Sequence, residues 1–256
     1  MSAHAHRTAL VTGGALRIGR AIVIDLAAHG WTIAIHYNTS GNAAKALAGD
    51  IRDEGGQAVA VRADLAREEE TAGLLPRAAE EIGPITCLVN NASVFEKDTV
   101  ETASRESWHA HMQVNLRAPF ILTQAFAARL PKDIGGNVIN IIDQRVWNPT
   151  PNFTTYTLSK SALWTLTRTL AMALAPAIRV NAVGPGPTLP SWRQTEAEFT
   201  RQWSFLPLRR RVMPNEIGEA VRFILDAPAM TGQMIALDGG QHLGWRSYAG
   251  GDTPNE

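Results

Sequence analysis

The stretch TALVTGGALRIG, residues 8–19, decides the fold of this chain, because an apolar strand runs directly into a glycine-rich turn. Ile18, Ile22 and Leu26 recur at helical spacing, and Gly30 ends the helix. Glycines allow a tight turn that a pyrophosphate can approach, and the start of a helix offers free N–H groups to anionic oxygens. A turn that binds nothing is the alternative to a dinucleotide site. The cofactor-binding candidates in this stretch are Gly13, Arg17, Ile18 and Gly19.

Outward from this stretch, short apolar runs alternate with longer amphipathic ones. Strands are predicted at 8–12, 32–36, 58–61, 86–89, 137–142, 179–183 and 233–237. Later helices are predicted at 42–54, 66–82, 101–116, 120–130, 156–175 and 214–225, with Pro119 separating two of them. Repeated crossovers predict an α/β, Rossmann-like, doubly wound fold, with a parallel seven-stranded sheet covered by helices on both faces. We expect a single domain over residues 1–245 and a disordered polar tail over 246–256.

Composition mainly excludes classes of protein. The 256 residues contain 24 Lys and Arg against 24 Asp and Glu, and zero net charge removes the electrostatic argument for a nucleic-acid or membrane-surface binder. One cysteine cannot form an intramolecular disulfide or a cysteine-rich metal cluster, which favours a reducing compartment. No run reaches the roughly 18 apolar residues of a membrane helix, and the first residues lack a signal-peptide pattern. We therefore expect a cytoplasmic protein with no bound metal.

The end of the second predicted strand indicates the choice of cofactor. A carboxylate there would bind the ribose 2′-hydroxyl of NAD, but the chain has none at Tyr37, Asn38, Thr39 or Ser40. Hydroxyl and amide groups can instead accept a 2′-phosphate, so the sequence favours NADP(H). The alternative is a surface turn that only begins the next helix.

Tyr156 and Lys160 lie four residues apart and share one face of the predicted helix. A nearby cation favours the phenolate and lowers the pKa of a tyrosine, which makes the phenol a usable acid near neutral pH. The pattern alone is weak, because a solvated helix face shows it too. After a dinucleotide turn, however, it supplies the proton donor that carbonyl or imine reduction requires.

Motifs along nearly the whole chain resemble those of the short-chain dehydrogenase/reductase family, in the same order. They are the turn at 12–19, Asp64-Leu65, Asn90-Asn91-Ala92, Asn115, Tyr156 with Lys160, Gly184-Pro185-Gly186 and Asp238-Gly239-Gly240. The resemblance implies an NADP(H)-dependent oxidoreductase that forms a homotetramer.

The resemblance also assigns roles to individual residues. Asp64 and Leu65 would lie near the adenine, and Asn115 would support a water relay to Lys160. Lys160 would bind the nicotinamide ribose and tune Tyr156. The segments that would line the cofactor groove are Asn90 to Ala92, including Asn91, and Pro185 with Gly186.

Three departures from the common family pattern narrow this interpretation. Arg17 stands where most members have Gly, and Asp143 stands where most have a catalytic Ser, 13 residues before the tyrosine. Ser93, with Phe95 just after it, replaces the usual Gly. Together these features resemble the pteridine reductases. Pteridine reductases often carry Arg where this chain has Thr39, so the 2′-phosphate site here is weaker or built differently.

Pteridine chemistry agrees with these residues. A flat pterin could stack between the nicotinamide and Phe95, with Ser93 and Arg17 at its polar edge. Asp143 can relay a proton with Tyr156 to a C=N bond, whereas a carboxylate would repel the negative charge that develops on a ketone oxygen. The substrate-binding candidates are Arg17, Ser93, Phe95, Asp143 and Tyr156, and the catalytic candidates are Tyr156, Lys160, Asp143 and Asn115.

Each departure has a plainer explanation. Arg17 would bind only phosphates, Phe95 would belong to the core, and Asp143 would leave a carbonyl reductase that works with Tyr156 alone. We therefore predict an NADPH-dependent reductase of pteridines that acts on a small-molecule substrate. The alternatives are an NADP-dependent carbonyl reductase and, in a different class, a non-catalytic NADP(H) sensor. The intact pair of Tyr156 and Lys160 argues against the sensor.

Several other features carry less weight. His109 and His111 lie two residues apart and would point to different helix faces, so they do not predict a metal site. Cys87 lies in an apolar strand and is expected to be buried and inert. Residues 187–206 follow the Gly-Pro loop and are a candidate substrate lid. A further hypothesis is that Trp245 or Arg246 reaches the active site of a neighbouring subunit.

Overall fold

A computed structural model of the chain describes residues 7–244 and contains one seven-stranded sheet, with all its strands parallel. The strand order is β3-β2-β1-β4-β5-β6-β7. The strands are β1 (Thr8–Val11), β2 (Thr32–Tyr37), β3 (Ala58–Arg62), β4 (Cys87–Asn90), β5 (Gly136–Ile141), β6 (Ile178–Pro185) and β7 (Met234–Leu237). The predicted doubly wound α/β fold with a single domain is confirmed.

Helices cover both faces of the sheet. They are α1 (Arg17–Ala28), α2 (Gly41–Asp53), α3 (Glu68–Ile82), α4 (Arg105–Met112), α5 (Ala118–Arg129), α6 (Thr154–Leu174), α7 (Glu196–Ser204) and α8 (Pro214–Asp226). One core lies between the sheet and α1, α2 and α8, and a second lies between the sheet and α3, α5 and α6.

The first strand shows how one short run serves both cores. Ala9 and Val11 pack into the first core, whereas Leu10 packs into the second, because successive side chains of a strand point to opposite faces. All three are fully buried. A parallel strand covered on both sides therefore reads as a continuous apolar run, which is why the sequence identified it.

The order of the strands fixes where a ligand can bind. β1 pairs with β2 on one side and with β4 on the other, so the direction of the crossovers reverses between β1 and β4. In open α/β sheets, the carboxyl ends of the strands form a crevice at such a switch point. The glycine turn after β1 lies at this crevice.

The chain around Pro119 differs from the prediction of two separate helices. α4, a π-helical segment at Gln113–Arg117 and α5 follow one another without a break. Pro119 therefore lies inside this continuous helix, directly after the π-helical segment, and its missing N–H leaves one bond of the helix unmade. The predicted start at residue 101 was also wrong, because a capping box between Ser104 and Ser107 begins α4 at Arg105.

Some expectations concern parts of the chain outside the described residues. The predicted tail, 246–256, and the partner-contact hypothesis for Trp245 and Arg246 fall in this category. Within residues 7–244, no helix is both long and apolar enough to span a membrane.

Candidate active site

A cleft at the carboxyl ends of the central strands brings half of the predicted site residues together. It is open to solvent and has a cavity volume of about 180 Å³. Its lining includes Arg17, Ile18, Asn91, Ser93, Phe95, Asp143, Tyr156, Lys160, Pro185 and Gly186. Leu189 and Gln202, from the predicted lid segment 187–206, also line it, together with Gln144, Arg145 and Gln241, which the sequence did not identify.

Glycine is required at two positions of the turn that enters the cleft. Gly13 has a φ of +60°, in the left-handed region that side chains disfavour. At Gly19 a β-carbon would lie 2.1 Å from the carbonyl oxygen of Gly13 and 2.6 Å from Asn91 Nδ2. The turn and the helix thus approach each other as closely as the backbone permits.

Asn91 and Ala92, which directly follow β4, hold the turn in place. Asn91 Nδ2 donates to the carbonyl oxygens of Thr12 and Gly13, at 2.8 and 3.2 Å. The Thr12 hydroxyl accepts from the backbone N–H groups of Asn91 and Ala92, at 2.9 and 3.0 Å. Asn91 and Ala92 therefore support the groove. Asn90 does not, because its buried amide donates to Asn140 Oδ1 inside the sheet, and its predicted place in the groove was wrong.

His36 is a second brace, and its role was missed. The backbone N–H of Gly13 donates to His36 Nδ1 at 3.0 Å, and Nε2 lies 3.0 Å from the carbonyl oxygen of Ala63. Nδ1 is therefore the acceptor and Nε2 carries the hydrogen. Burial lowers the pKa of His36 to about 4, so the ring is neutral at physiological pH. The sequence did contain a signal for this role, because His36 is a polar residue in a mostly apolar strand that follows the glycine turn.

The start of α1 fits an anionic group. The residue before the helix, Leu16, makes no side-chain capping bond, and the first turn contains no acidic residue. The N–H groups there are suited to a phosphate. Arg17 adds a cation at this point, and its Nη2 donates to the carbonyl oxygens of Leu189 and Pro190, at 3.2 and 3.0 Å. One guanidinium therefore links the glycine turn to the 187–206 segment.

The residues predicted at the adenine end lie together. Asn38 Nδ2 is 3.5 Å from Asp64 Oδ1, which also accepts from the N–H of Ala66 at 3.0 Å. Leu65 is buried next to them, and Thr39 is exposed. The ends of β2 and β3 thus provide hydroxyl, amide and carboxylate groups at one edge of the cleft.

At the centre of the cleft, the Tyr156 hydroxyl donates to Asp143 Oδ2 at 3.0 Å. The other oxygen, Oδ1, accepts from the backbone N–H of Arg145 at 2.8 Å and lies 3.9 Å from Arg145 Nε. A phenol and a carboxylate are thus joined directly, and Arg145 faces the carboxylate as a counter-charge.

Lys160 lies beneath this pair. Its ammonium donates to the carbonyl oxygen of Ile141 at 2.8 Å and lies 5.8 Å from the centroid of the Tyr156 ring. Burial lowers the pKa of Lys160 to about 8, and the charge of Asp143 opposes this shift only in part. The lysine charge is therefore lost at a pH much closer to neutrality than usual.

Asn115 lies in the π-helical segment, fully buried. Its side chain accepts from the N–H of Val94 at 2.8 Å and donates to Val94 O at 2.9 Å and to Ser159 Oγ at 3.0 Å. Ser93 Oγ donates to Asn115 Oδ1 at 3.2 Å. Asn115 thus fixes the loop that carries Ser93, and the water relay to Lys160 remains a prediction.

Phe95 belongs to an aromatic cluster. Its ring stacks on Phe153 with centroids 4.4 Å apart and planes 7° apart, and it meets Tyr156 edge to face at 4.6 Å. Phe153 therefore covers one face of Phe95, and a flat substrate cannot stack on that face.

Two arginines flank this cluster, and neither was predicted. The Arg145 guanidinium carbon lies 5.2 to 5.9 Å from the centroids of Phe153, Phe95 and Tyr156. Arg193, from the 187–206 segment, lies 5.0 Å from the Phe95 centroid and donates to the carbonyl oxygen of Phe95 at 3.0 Å. No sequence motif predicts the role of either arginine, because each role arises from contacts between segments that are distant in the chain.

The remaining candidates lie elsewhere. Cys87 is fully buried, and burial raises the pKa of its thiol to about 12, which makes it a poor nucleophile. His111 is buried whereas His109 is exposed. Among residues 7–244, no group of three or more metal-binding side chains comes together.

Comparison with known proteins agrees with this geometry. The family described as short chain dehydrogenase matches residues 7–200. A curated relative, the 3-oxoacyl-[acyl-carrier-protein] reductase of a Synechocystis species, is 33% identical over 245 residues, which cover 94% of this chain and 98% of the relative.

Two solved structures are similar over almost their whole length. FolM alternative dihydrofolate reductase 1 from Brucella canis, complexed with NADP, is 51% identical with a TM-score of 0.90, covering 96% of this chain and 97% of that one. A blue fluorescent protein from a metagenomic library, in complex with NADPH, is 34% identical with a TM-score of 0.86, covering 91% and 97%.

Proposed function

This chain belongs to the short-chain dehydrogenase family, and from that premise we propose that it is an NADPH-dependent reductase of pteridines. The substrate would be a dihydropterin or a dihydrofolate, reduced at a C=N bond. The cofactor would lie along the cleft from Asn38 and Asp64 to Lys160, with its phosphates at the start of α1.

One observation carries this proposal, namely the hydrogen bond of 3.0 Å from the Tyr156 hydroxyl to Asp143. A ketone reductase needs neutral donors where negative charge develops on the carbonyl oxygen, and a carboxylate opposes that charge. Reduction of a C=N bond instead requires delivery of a proton to nitrogen. A phenol backed by a carboxylate suits that delivery.

The residues of the chain divide the work among themselves. The cofactor supplies the hydride when it is bound. Tyr156 gives its hydroxyl proton to the substrate nitrogen, and Asp143, which is 18% exposed, returns a proton to Tyr156 from solvent. Lys160 holds the nicotinamide ribose, and its position beside the Tyr156 ring favours the phenolate that remains after transfer.

The pterin ring would be held by shape and by its polar edge. It would stack beside Phe95 on the side away from Phe153, and Ser93, which is exposed in the cleft, would exchange its bond to Asn115 for one to the ring. Arg17 reaches the cleft from the opposite wall and would contact both the phosphates and the ring. The similar Brucella canis protein named as an alternative dihydrofolate reductase supports this substrate class.

A second candidate, an NADP-dependent carbonyl reductase, is favoured by the curated Synechocystis relative named as a 3-oxoacyl reductase. NADPH oxidation with dihydrobiopterin, dihydrofolate, simple ketones and a 3-oxoacyl thioester separates the two candidates. We expect turnover of at least one pteridine. Turnover of a ketone or thioester without any pteridine would overturn the first proposal.

Asp143→Ser tests the observation that carries the proposal. We expect pteridine reduction to fall about 10–100-fold, because the proton relay is lost, while the Kd for NADPH stays unchanged. The activity is followed by NADPH absorbance and binding by cofactor fluorescence. Full activity in this variant would show that the carboxylate takes no part in the reaction.

The choice of cofactor has its own test. Residues 37–40 at the end of β2 carry no carboxylate, so we propose a preference for NADPH over NADH. Fluorescence titration with both cofactors measures it. Tighter binding of NADH would contradict this assignment.

We also propose that the protein is a cytoplasmic homotetramer. The tetramer follows from the resemblance to the family, and the free, buried Cys87 fits a reducing compartment. Light scattering coupled to size-exclusion chromatography measures the oligomeric state. A monomer or dimer at micromolar concentration would contradict the proposed tetramer.

A further inference from the structure

The helix that carries Tyr156 begins without a cap of its own. Phe153 precedes α6 with a φ of 60°, in the left-handed region, and makes no side-chain capping bond. The first N–H groups of a helix need acceptors from elsewhere. Tyr156 lies in this first turn, so whatever satisfies these groups also sets the position of the phenol.

Asp98 supplies the missing cap from a distant loop. This residue is 2% exposed, and its Oδ1 accepts from the N–H of Thr155 at 3.1 Å, across 57 residues of sequence. Its Oδ2 accepts from the Thr155 hydroxyl, and its backbone carbonyl accepts from the N–H of Phe153 at 2.7 Å. A carboxylate at this end of a helix also interacts favourably with the helix dipole.

His111 extends the network to a second segment. Its Nε2 accepts from the backbone N–H of Glu96 at 3.1 Å, so Nδ1 carries the hydrogen and donates to the Thr155 hydroxyl at 2.7 Å. Thr155 therefore accepts from His111 and donates to Asp98. Burial lowers the pKa of His111, which agrees with a neutral ring.

The network connects the two elements that meet at the reaction centre. Glu96 follows Phe95 in the loop that lines the cleft, and Thr155 precedes Tyr156 in α6. The His111 ring itself meets the Tyr156 ring edge to face, with centroids 5.9 Å apart. A shift in any member would therefore move the phenol relative to Phe95.

We infer that Asp98, His111 and Thr155 are positioning residues for Tyr156, holding its hydroxyl in register with the substrate loop. The inference rests on the proposed function in so far as Tyr156 is the proton donor. Burial of three polar side chains is costly, and apolar residues of similar size would fill the same space. Accurate positioning of Tyr156 explains why such a network is present, because a displacement of a catalytic group by about 1 Å can lower the rate roughly 100-fold.

Thr155→Val is the main test, because it removes the hydroxyl and nearly preserves the volume. We expect kcat to fall roughly 10–100-fold, with the Kd for NADPH changed less than about twofold. Thr155→Ser keeps the hydroxyl and should restore kcat to within about threefold of the unmodified protein. Thr169→Val is the matched control on the same helix, since the exposed Thr169 hydroxyl bonds only the Thr165 carbonyl.

Steady-state kinetics, cofactor fluorescence and Tm are measured on all variants. A purely structural role would lower Tm and the amount of folded protein without changing kcat per folded molecule. Unchanged kcat in folded Thr155→Val, or an equal loss of kcat in Thr155→Ser, would overturn the inference. His111→Phe keeps the ring volume but neither nitrogen, and it decides the question by the same kcat criterion if Thr155→Val folds poorly.

The assay also separates this inference from the proposed function. The variants are tested on whichever substrate the unmodified protein reduces. If that substrate is a ketone, the pteridine proposal fails, while the response of kcat to Thr155→Val still decides whether the network positions Tyr156.

Discussion

The two walls of the cleft differ in the kind of side chain that they contain. The glycine-turn wall, residues 12–19 with His36 and Asn91, is held by neutral side chains that bond to the backbone. The Tyr156 wall contains a carboxylate at Asp143 and buried cations at Arg145 and Lys160. One wall is suited to recognise its ligand by backbone shape with the added charge of Arg17, and the other acts through a few charges in a shielded site.

This difference predicts two kinds of sensitivity. The glycine-turn wall should fail when atoms are added, because its contacts leave no space for a side chain. The Tyr156 wall should fail when a proton or a charge is removed, because its proposed chemistry depends on the Tyr156 hydroxyl and on the charges of Asp143 and Lys160. The variants below test each wall by the kind of change to which it should respond.

Tyr156→Phe should have the largest effect, since it removes only the hydroxyl that donates to Asp143. We expect kcat to fall about 10²–10⁴-fold through loss of the proton donor. Stopped-flow and steady-state NADPH oxidation measure this loss. The Kd for NADPH should stay the same, and a large change in it would mean that the two walls are not separable.

Gly19→Ala tests the glycine-turn wall by adding one methyl group. Its β-carbon would lie 2.1 Å from the carbonyl oxygen of Gly13, so we expect a loss of about 2–3 kcal/mol of stability and much weaker NADPH binding. Gly49→Ala is the matched control in α2, where nothing lies within 4 Å of the new atom.

For Gly49→Ala we expect a gain of up to about 1 kcal/mol and normal cofactor binding. Urea denaturation and fluorescence titration measure both variants. Normal NADPH binding by Gly19→Ala would contradict the steric argument for this wall.

His36→Gln tests the same wall by pH. The pKa of His36 falls from 6.5 to about 4 on folding, so stability is complete above pH 6.5 and decreases as the pH falls toward 4. At about 1.4 kcal/mol per pKa unit, the decrease due to this residue is at most about 3 kcal/mol.

Urea denaturation at pH 7 and pH 4.5 should therefore show a smaller acid-induced loss in His36→Gln than in the unmodified protein. His109→Gln, at an exposed position, should lose as much as the unmodified protein does. Equal losses in all three proteins would show that His36 is not the buried neutral brace described above.

Lys160 should produce the smallest effect, visible in the pH profile of the Tyr156 wall. Its pKa of about 8 means that the charge disappears as the pH rises through 8, and we expect kcat/KM to fall about tenfold by pH 9. Lys160→Arg keeps its charge and should lack this break. A flat profile up to pH 9.5 in the unmodified protein would show that the charge is not required.

Most of the fold could be predicted because buried parallel strands are continuous apolar runs and glycines end the helices between them. The uninterrupted path through Pro119 could not, since the π-helical segment packs against the distant helix α6, where Asn115 bonds to Ser159. α7 was missed although Thr195 and Glu198 form a capping box, a signature that can be read in sequence. The helix was overlooked because its apolar pattern is weak, with Phe199 as its buried apolar residue.

The site was predictable where a motif fixes the spacing, as for Tyr156, Lys160 and Asp143. It was not predictable where a role arises from tertiary contact. Arg193 contacts Phe95, which is 98 residues away in the chain. The sequence presents His111 only beside His109, as a metal-site pattern to be dismissed, and gives no sign of its bonds to Thr155 and Glu96.

The distances along the chain between braced residues have a consequence for synthesis. The hydrogen bonds from His36, Asn91 and Ala92 that brace Thr12 and Gly13, including the bond from Asn91 to Gly13 across 78 residues, all involve residues before position 93. The opposite wall is finished much later, when Asp238 packs 2.6 Å from the site of a β-carbon at Gly186. A chain emerging from the ribosome thus holds the braces of its glycine turn long before it has the wall that carries Tyr156 and Lys160.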